Sequence, residues 1–403
     1  MSHIIDALPA PPGLYLHVPF CSAICPFCPY NKVIYDRDLA KTYMHALDKE
    51  LRRYTDKLPA SFTSLYIGGG TPTLCLDQLS RLMESVEVSG ERAIEVLPTH
   101  ASPDNLDRLV QMGINFVSLG IQSLNERVLR HLHRPNTVME NRSALDAVAG
   151  RFECVDVDLI FDVAFEDRET FLRDLEICFG AGVEQVSTYP LMRFGYTPFG
   201  KTVHQPGKER RLLSQAAELA DRHGYERRSV WTFARRDAPS YTSITREFYL
   251  GCGAGSGSYA GRLFFLNHFA ISEYVAKVSC GALPIARETY MTPMRAAAYY
   301  LFWQLYTGRI DLARFRVLFP GARALRSGLA ALTALGLLRR SGDKLSLTSA
   351  GYDRYHDLER WVTYHFIEPL WADMMREHRH FRDAGDGPSW SERLWLRMSG
   401  LQP

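Results

Sequence analysis

The sequence predicts an α/β protein: a partial (β/α)6 barrel followed by a C-terminal α+β extension and a winged-helix-like helical domain. Two observations carry that expectation. Short runs rich in Val, Ile and Leu alternate six times with amphipathic stretches, the pattern of parallel strands covered by helices. The polar residues able to do chemistry fall at or just past the ends of those runs, where such barrels build their sites. A doubly wound open sheet is the structural alternative.

Strands are expected at 14–18, 64–68, 93–97, 116–120, 155–161 and 185–189, and helices at 36–54, 76–86, 103–112, 126–131 running into 137–149, and 168–180. After Pro198 the pattern changes. A helix over 208–223 and a strand over 229–233 precede the run Tyr249-Leu-Gly-Cys-Gly-Ala-Gly-Ser-Gly-Ser-Tyr259, which suits either a phosphate cradle or a plain tight turn. From 305 to 347 the order is helix, helix and two short strands around Ser341-Gly-Asp-Lys344, a winged-helix pattern. Its second helix, 322–335, carries only Arg323 and Arg326 among mostly Ala and Leu, so packing or substrate capping is expected rather than DNA contact. The expected domains are 1–200, 201–290 and 291–403.

At 403 residues the chain can bury a large core, and its net charge of +2 argues against a nucleic-acid binder. No apolar run approaches the roughly 18 residues of a membrane span, and the N-terminus lacks a basic n-region, so a cytoplasmic monomer without membrane or nucleic-acid partners is expected.

The most informative residues are Cys21, Cys25 and Cys28, in Leu14-Tyr-Leu-His-Val-Pro-Phe-Cys-Ser-Ala-Ile-Cys-Pro-Phe-Cys-Pro-Tyr30. Three thiolates in one tight loop can ligate three irons of a 4Fe-4S cluster and leave the fourth open to a small molecule. Zinc would need a fourth ligand, for which His17 is the nearest candidate, and a disulfide would leave one thiol over. Cys75, Cys154, Cys178, Cys252 and Cys280 read as small core hydrophobes.

The cysteine loop, Tyr66-Ile-Gly-Gly-Gly-Thr-Pro-Thr73, Ser118-Leu-Gly-Ile-Gln-Ser-Leu-Asn125 and Tyr249-Leu-Gly-Cys-Gly-Ala254 together resemble the radical S-adenosylmethionine (SAM) superfamily over residues 13–355. Within it they resemble the branch of oxygen-independent coproporphyrinogen III oxidase and the related haem chaperone. The resemblance implies a radical SAM barrel, a 4Fe-4S cluster, and an external electron donor such as flavodoxin or ferredoxin. It places Tyr15, Gly68, Gly69, Gly70, Glu95, Gln122, Arg134 and Asp158 around a SAM molecule, with Arg134 on its carboxylate and Gln122 and Asp158 on ribose hydroxyls.

Departures from that branch set the functional expectation. Tyr30 stands where the oxidase has a further cysteine, only fourteen residues precede Tyr15, and the haem chaperone's His-Asn is replaced in Thr245-Arg-Glu-Phe-Tyr249. The chain then resembles class C radical SAM methyltransferases and cyclopropanases. That resemblance implies two SAM molecules and a small aromatic or conjugated natural-product substrate; the alternative is a coproporphyrinogen-oxidase-like radical dehydrogenase or decarboxylase, or a haem-binding chaperone. The second SAM is expected beside Tyr189, Trp231, Phe233, Gly251 and Gly253. Tyr30, Glu247 and His17 are the acid/base candidates, and Tyr30 and Glu247 are the expected catalytic pair.

Overall fold

The computed structural model describes residues 2–8, 10–58, 61–163, 168–201, 207–239 and 247–378. Six parallel strands, β1 (Gly13–Val18), β2 (Leu65–Gly69), β3 (Arg92–Val96), β4 (Phe116–Gln122), β5 (Cys154–Phe161) and β6 (Gln185–Pro190), lie side by side in chain order. That order distinguishes an incomplete barrel from a doubly wound sheet, whose strand order must reverse at a switch point. Their residues are buried on both faces, which is why the runs are nearly continuous Val, Ile and Leu instead of alternating.

The crossovers are α1 (Arg37–Thr55), α2 (Leu76–Met83), α3 (Pro103–Gln111), α4 (Glu126–His131) with α5 (Val138–Val148), and α6 (Arg168–Gly180). Local chemistry fixes their starts. The Asp36 side chain accepts the Asp38 and Leu39 amides at the head of α1, and Thr137 with Glu140 forms a reciprocal capping box on α5.

The extension flanks the barrel on both sides, so its strands join the same twelve-stranded sheet. After α7 (Lys208–Arg222), the hairpin of β7 (Tyr225–Arg227) and β8 (Thr232–Arg235) runs antiparallel beside β6. The strand expected over 229–233 starts later because Ser229–Trp231 are the hairpin turn, with the Arg228 amide donating to the Thr232 carbonyl at 2.8 Å. On the other side β9 (Tyr249–Cys252) lies parallel to β1, pairing Gly13 with Tyr249 and Leu16 with Cys252. Antiparallel β10 (Gly257–Ala260), β11 (Leu263–Asn267) and β12 (Ile285–Tyr290) continue outward, with α8 (Ile271–Ser279) between the last two.

The C-terminal part begins with α9 (Pro293–Tyr306) and is a winged-helix arrangement: β13 (Arg309–Asp311), α10 (Leu312–Leu318), α11 (Arg323–Ala334), β14 (Leu338–Ser341) and β15 (Lys344–Leu347). It has its own small core of Ile310, Phe315, Leu329, Leu338 and Leu345. From there α12 (Ser349–Val362), one π turn at Thr363–Ile367 and α13 (Glu368–His378) return to the barrel mouth. The Tyr364 hydroxyl accepts the Arg193 amide at 3.0 Å, and Trp371 packs on Tyr30 and Phe194 with ring centroids 5.7 and 6.1 Å apart. Sequence reading assigned no such cover, because the residues that make it lie some 340 positions from the loop they meet. Among the described residues no helix is long and apolar enough to cross a membrane.

Candidate active site at the barrel mouth

The cysteine loop leaves the C-terminal end of β1. Phe20 pairs with Val33 and Cys21 with Ile34, closing the loop at its base, and the Cys28 amide donates to the Cys25 carbonyl at 3.2 Å within it. Lys32 Nζ donates to the Cys28 and Tyr30 carbonyls, at 2.6 and 3.1 Å. All three thiols are free and half-buried, and burial pushes the Cys21 thiol up to about 12. Among the described residues no three His, Cys, Asp or Glu side chains converge as one metal ion requires. A cluster takes each thiolate at a separate iron, so the donor set fits a cluster better than zinc. Cys75, Cys154, Cys178 and Cys252 are buried, whereas Cys280 is exposed, contrary to the core placement expected of it, because it caps α8.

His17 ties this loop to the sheet. Its Nε2 donates to the Asn31 carbonyl at 2.9 Å, and its Nδ1 accepts the Tyr15 hydroxyl at 2.7 Å. Burial of the ring lowers its pKa to about 4, against the Asn31 bond, which raises it. A neutral imidazole so engaged is a tether, not the acid/base group expected of it. Asn31, which sequence reading passed over, donates to the carbonyls of Ala254 and Phe269 at 3.2 and 2.8 Å.

The turn Gly68-Gly69-Gly70 ends β2 beside the loop. Gly69 has φ +120°, and a Cβ at Gly70 would lie 2.5 Å from the Phe20 carbonyl oxygen and 2.9 Å from Cys21 Sγ, so only glycine fits there. Glu95 on β3 accepts the Gly69 amide at 3.1 Å and the Tyr66 hydroxyl at 2.8 Å, while burial raises its pKa against those two bonds. Tyr15 stacks on Tyr66, with centroids 6.1 Å apart.

Across β4 and β5, Ser118 donates to Asp158 at 2.5 Å, and Asp156 accepts from Gln185 and Ser187 at 2.8 Å each. Burial raises both aspartates, and the charge of Asp156 raises Asp158 further. The pairing of β4 and β5 slips between Leu119 and Gln122, leaving Gln122 at φ +67°, a strained backbone at the strand's end. Arg134, just past α4, donates Nη2 to the Gly120 carbonyl at 2.7 Å and brings Nη1 within 3.4 Å of Cys25 Sγ. Its Nε is buried without a partner, an orphaned donor that an anion would satisfy.

The structure therefore gathers Cys21, Cys25, Cys28, Tyr15, Gly68, Gly69, Gly70, Glu95, Gln122, Arg134 and Asp158 at the C-terminal ends of β1–β5 and the loops that follow. It does not gather the rest. Glu247 stands at the N-terminal end of β9, the opposite end of the sheet from the cysteine loop. There it receives Arg314 at 2.6 and 2.9 Å and the Tyr300 hydroxyl at 3.2 Å, so it joins the sheet to the winged helix and is not catalytic. Phe233 is fully buried against Phe179, beneath the mouth. Trp231 is buried too: it donates Nε1 to His356 at 3.0 Å, and His356 donates to Glu209 at 2.9 Å, pinning α12 to α7. Only Tyr189, half-buried and edge-on to Trp231, remains near the surface of that group.

Gly251 and Gly253 do not form an anion cradle. The Gly253 amide donates to Glu50 at 2.8 Å and the Ala254 amide to the Tyr43 hydroxyl at 2.9 Å, so the loop's donors are spent inside the fold. Tyr30, by contrast, is 54 % exposed at the mouth, under Trp371. Beside it, Tyr196 donates to the Pro29 carbonyl at 3.2 Å and lines a cleft of about 520 Å3 with Tyr364, Pro369 and Met375.

Comparison with known proteins agrees with this geometry. The model of the radical SAM superfamily matches residues 15–175. The anaerobilin synthase of Escherichia coli O157:H7 is 27 % identical over 364 residues, 84 % of this chain and 80 % of that protein. The haem chaperone HemW of Lactococcus lactis is 27 % identical over 288 residues, 66 % of this chain and 75 % of that protein. The crystal structure of the Escherichia coli coproporphyrinogen III oxidase HemN, itself a radical SAM enzyme, superposes with TM-score 0.76 at 23 % identity, covering 90 % of this chain and 92 % of that one. These relatives overturn the expected class C methyltransferase or cyclopropanase activity, since none is named for methyl transfer, and of the residues assigned to a second SAM all but Tyr189 are core or committed turn. Residues 15–175 are thus similar to the radical SAM superfamily, and the chain as a whole is similar to anaerobilin synthase, the haem chaperone and the oxygen-independent coproporphyrinogen III oxidase.

Proposed function

We propose that this chain is a radical SAM enzyme acting on a tetrapyrrole, with Cys21, Cys25 and Cys28 holding a 4Fe-4S cluster and one SAM molecule bound beside it. The names of its relatives support the substrate class, since bilins and haem are both tetrapyrroles. When bound, the cluster and SAM together would supply the one-electron chemistry needed to abstract hydrogen from an unactivated position of the substrate.

The observation that carries the reading is Arg134, which touches a cysteine ligand and still has a buried, unpartnered Nε. A carboxylate placed there would receive a charge-assisted bond worth about 1.5–3 kcal/mol. Asp158 and Gln122 offer acceptors for ribose hydroxyls, and Glu95 holds the Gly69 turn open for close backbone approach. Tyr30, Tyr196 and Trp371 present aromatic faces at the mouth, which suit a flat conjugated macrocycle and keep water from the reacting carbon.

The test is anaerobic reconstitution followed by SAM with, separately, coproporphyrinogen III and haem. Tetrapyrrole-dependent formation of 5'-deoxyadenosine, with a tetrapyrrole of changed mass, is expected. A shifted haem Soret band without any 5'-deoxyadenosine would replace the enzyme with a haem carrier. Deuterium passing from methyl-labelled SAM into 5'-deoxyadenosine would defeat the proposed hydrogen transfer from substrate.

A further inference from the structure

Helix α12 turns one stripe inward: Tyr355, His356, Glu359, Arg360 and, at the π turn, Thr363 are buried at helical spacing. The fold accounts for most of that stripe. His356 is held between Trp231 and Glu209, Arg360 reaches Glu209 at 2.8 Å, and Tyr355 packs on Tyr306 with ring centroids 6.4 Å apart. Glu359 is the exception. It is 7 % exposed, Thr363 donates to its Oε1 at 2.8 Å, and its Oε2 has no hydrogen-bond partner among the described residues. Burial lifts its pKa to about 7, against the Thr363 bond and the Arg360 charge, which lower it.

The carboxylate looks into the barrel. Tyr306 closes α9 and Tyr30 stands at the end of the cysteine loop; burial raises both hydroxyls, and the charge of Glu359 acts on both, which places it on the space between them. Asp156 on β5 also acts on Tyr306, and its Oδ1 is a second buried acid oxygen without a partner. Buried acceptors left unmade are costly, so this interior suits a ligand that brings hydrogen-bond donors. We infer that Glu359 is a substrate-binding residue, its unpartnered oxygen accepting pyrrolic N–H groups of a tetrapyrrole whose ring nitrogens carry hydrogen rather than metal. The inference rests on the tetrapyrrole reading and adds which form of the ring is held. A carboxylate takes such an N–H in a charge-assisted bond, whereas a ring closed around a four-coordinate metal has no N–H to offer.

The experiment titrates the reconstituted full-length protein, without oxygen, with coproporphyrinogen III, whose ring nitrogens all carry hydrogen, and with nickel coproporphyrin III, which has the same carboxylate rim and no N–H. Calorimetry on wild type, E359Q and E359A reads the affinities. The wild type is expected to bind coproporphyrinogen about tenfold tighter than the nickel ring or better. E359Q keeps an oxygen for Thr363 but loses the charge, and should weaken coproporphyrinogen binding about tenfold while nickel-ring affinity, SAM affinity and melting temperature hold. E359A should erase the preference between the two rings. Coproporphyrinogen affinity equal to wild type in both variants, or a wild type that prefers the nickel ring, would overturn the assignment and leave the tetrapyrrole reading standing. A wild type that binds neither ring would sink that reading, and this inference with it.

Discussion

Two glycine-rich turns sit on either side of β1, and they have opposite fates. Gly68-Gly69-Gly70 after β2 stays half-open beside Cys21, its middle amide held by Glu95, which faces the mouth. The turn after β9 is sealed: Gly253 and Ala254 give their amides to Glu50 and Tyr43 beneath the sheet, and a Cβ at Gly253 would lie 2.6 Å from the Tyr43 hydroxyl. Glycine content alone therefore says that backbone comes close to something. Whether that something is a ligand or the protein's own core depends on which acidic side chain arrives from a distant element.

The largest effect should come from breaking the sealed turn. Glu50→Ala strips the acceptor from the Gly253 amide, Asn267 and the Tyr274 hydroxyl, all buried, and is expected to cost about 3–5 kcal/mol in denaturant unfolding. A loss below about 1 kcal/mol would mean that water reaches this turn and that it is not sealed.

His17 connects the two turns, since its ring lies against Gly69 and its carbonyl accepts the Tyr43 hydroxyl at 2.7 Å. Its folded pKa, about 4, lies below the ordinary 6.5, so the unfolded chain binds the proton more readily between those values. Stability from this group is complete above pH 6.5 and declines as pH falls toward 4, by about 2–3 kcal/mol if the ring stays buried. His17→Gln should flatten that part of the stability–pH curve; an unaltered curve would show that other groups account for it.

On the open side, Arg134→Ala should weaken SAM binding by about 1.5–3 kcal/mol, roughly tenfold to 150-fold, with little change in melting temperature. Equal SAM affinity in the variant would remove the carboxylate assignment. The smallest effect is expected from Cys75→Ala, buried and outside the 21–28 thiol loop: about 1 kcal/mol or less in stability and no loss of iron after reconstitution.

What could be read in advance follows the range of the forces involved. The six strands and their crossovers declare themselves through periodicity and caps within a few residues, so α4 and α6 fall where the pattern puts them. The cysteine loop was legible because its three ligands lie within eight residues. Glu247 was misread because its partner, Arg314, is 67 positions away and on the wrong end of the sheet. Trp231 and Phe233 looked like pocket aromatics, but only the arrival of His356 and the packing of Phe179 decide that they are core. No local pattern encodes such meetings.

The hydrogen bonds of Asn31 to Ala254 and Phe269, and the cover of Tyr30 by Trp371, also have a meaning in time. A ribosome adds about 5–20 residues per second, so roughly 20–70 s separate the emergence of Cys28 from that of Trp371. Until Phe269 has emerged the Asn31 fastenings of the thiol loop do not exist, and until Trp371 has emerged its cover over Tyr30 does not. The nascent chain thus offers its cysteines to iron donors, and equally to oxidants, before the fold closes over them.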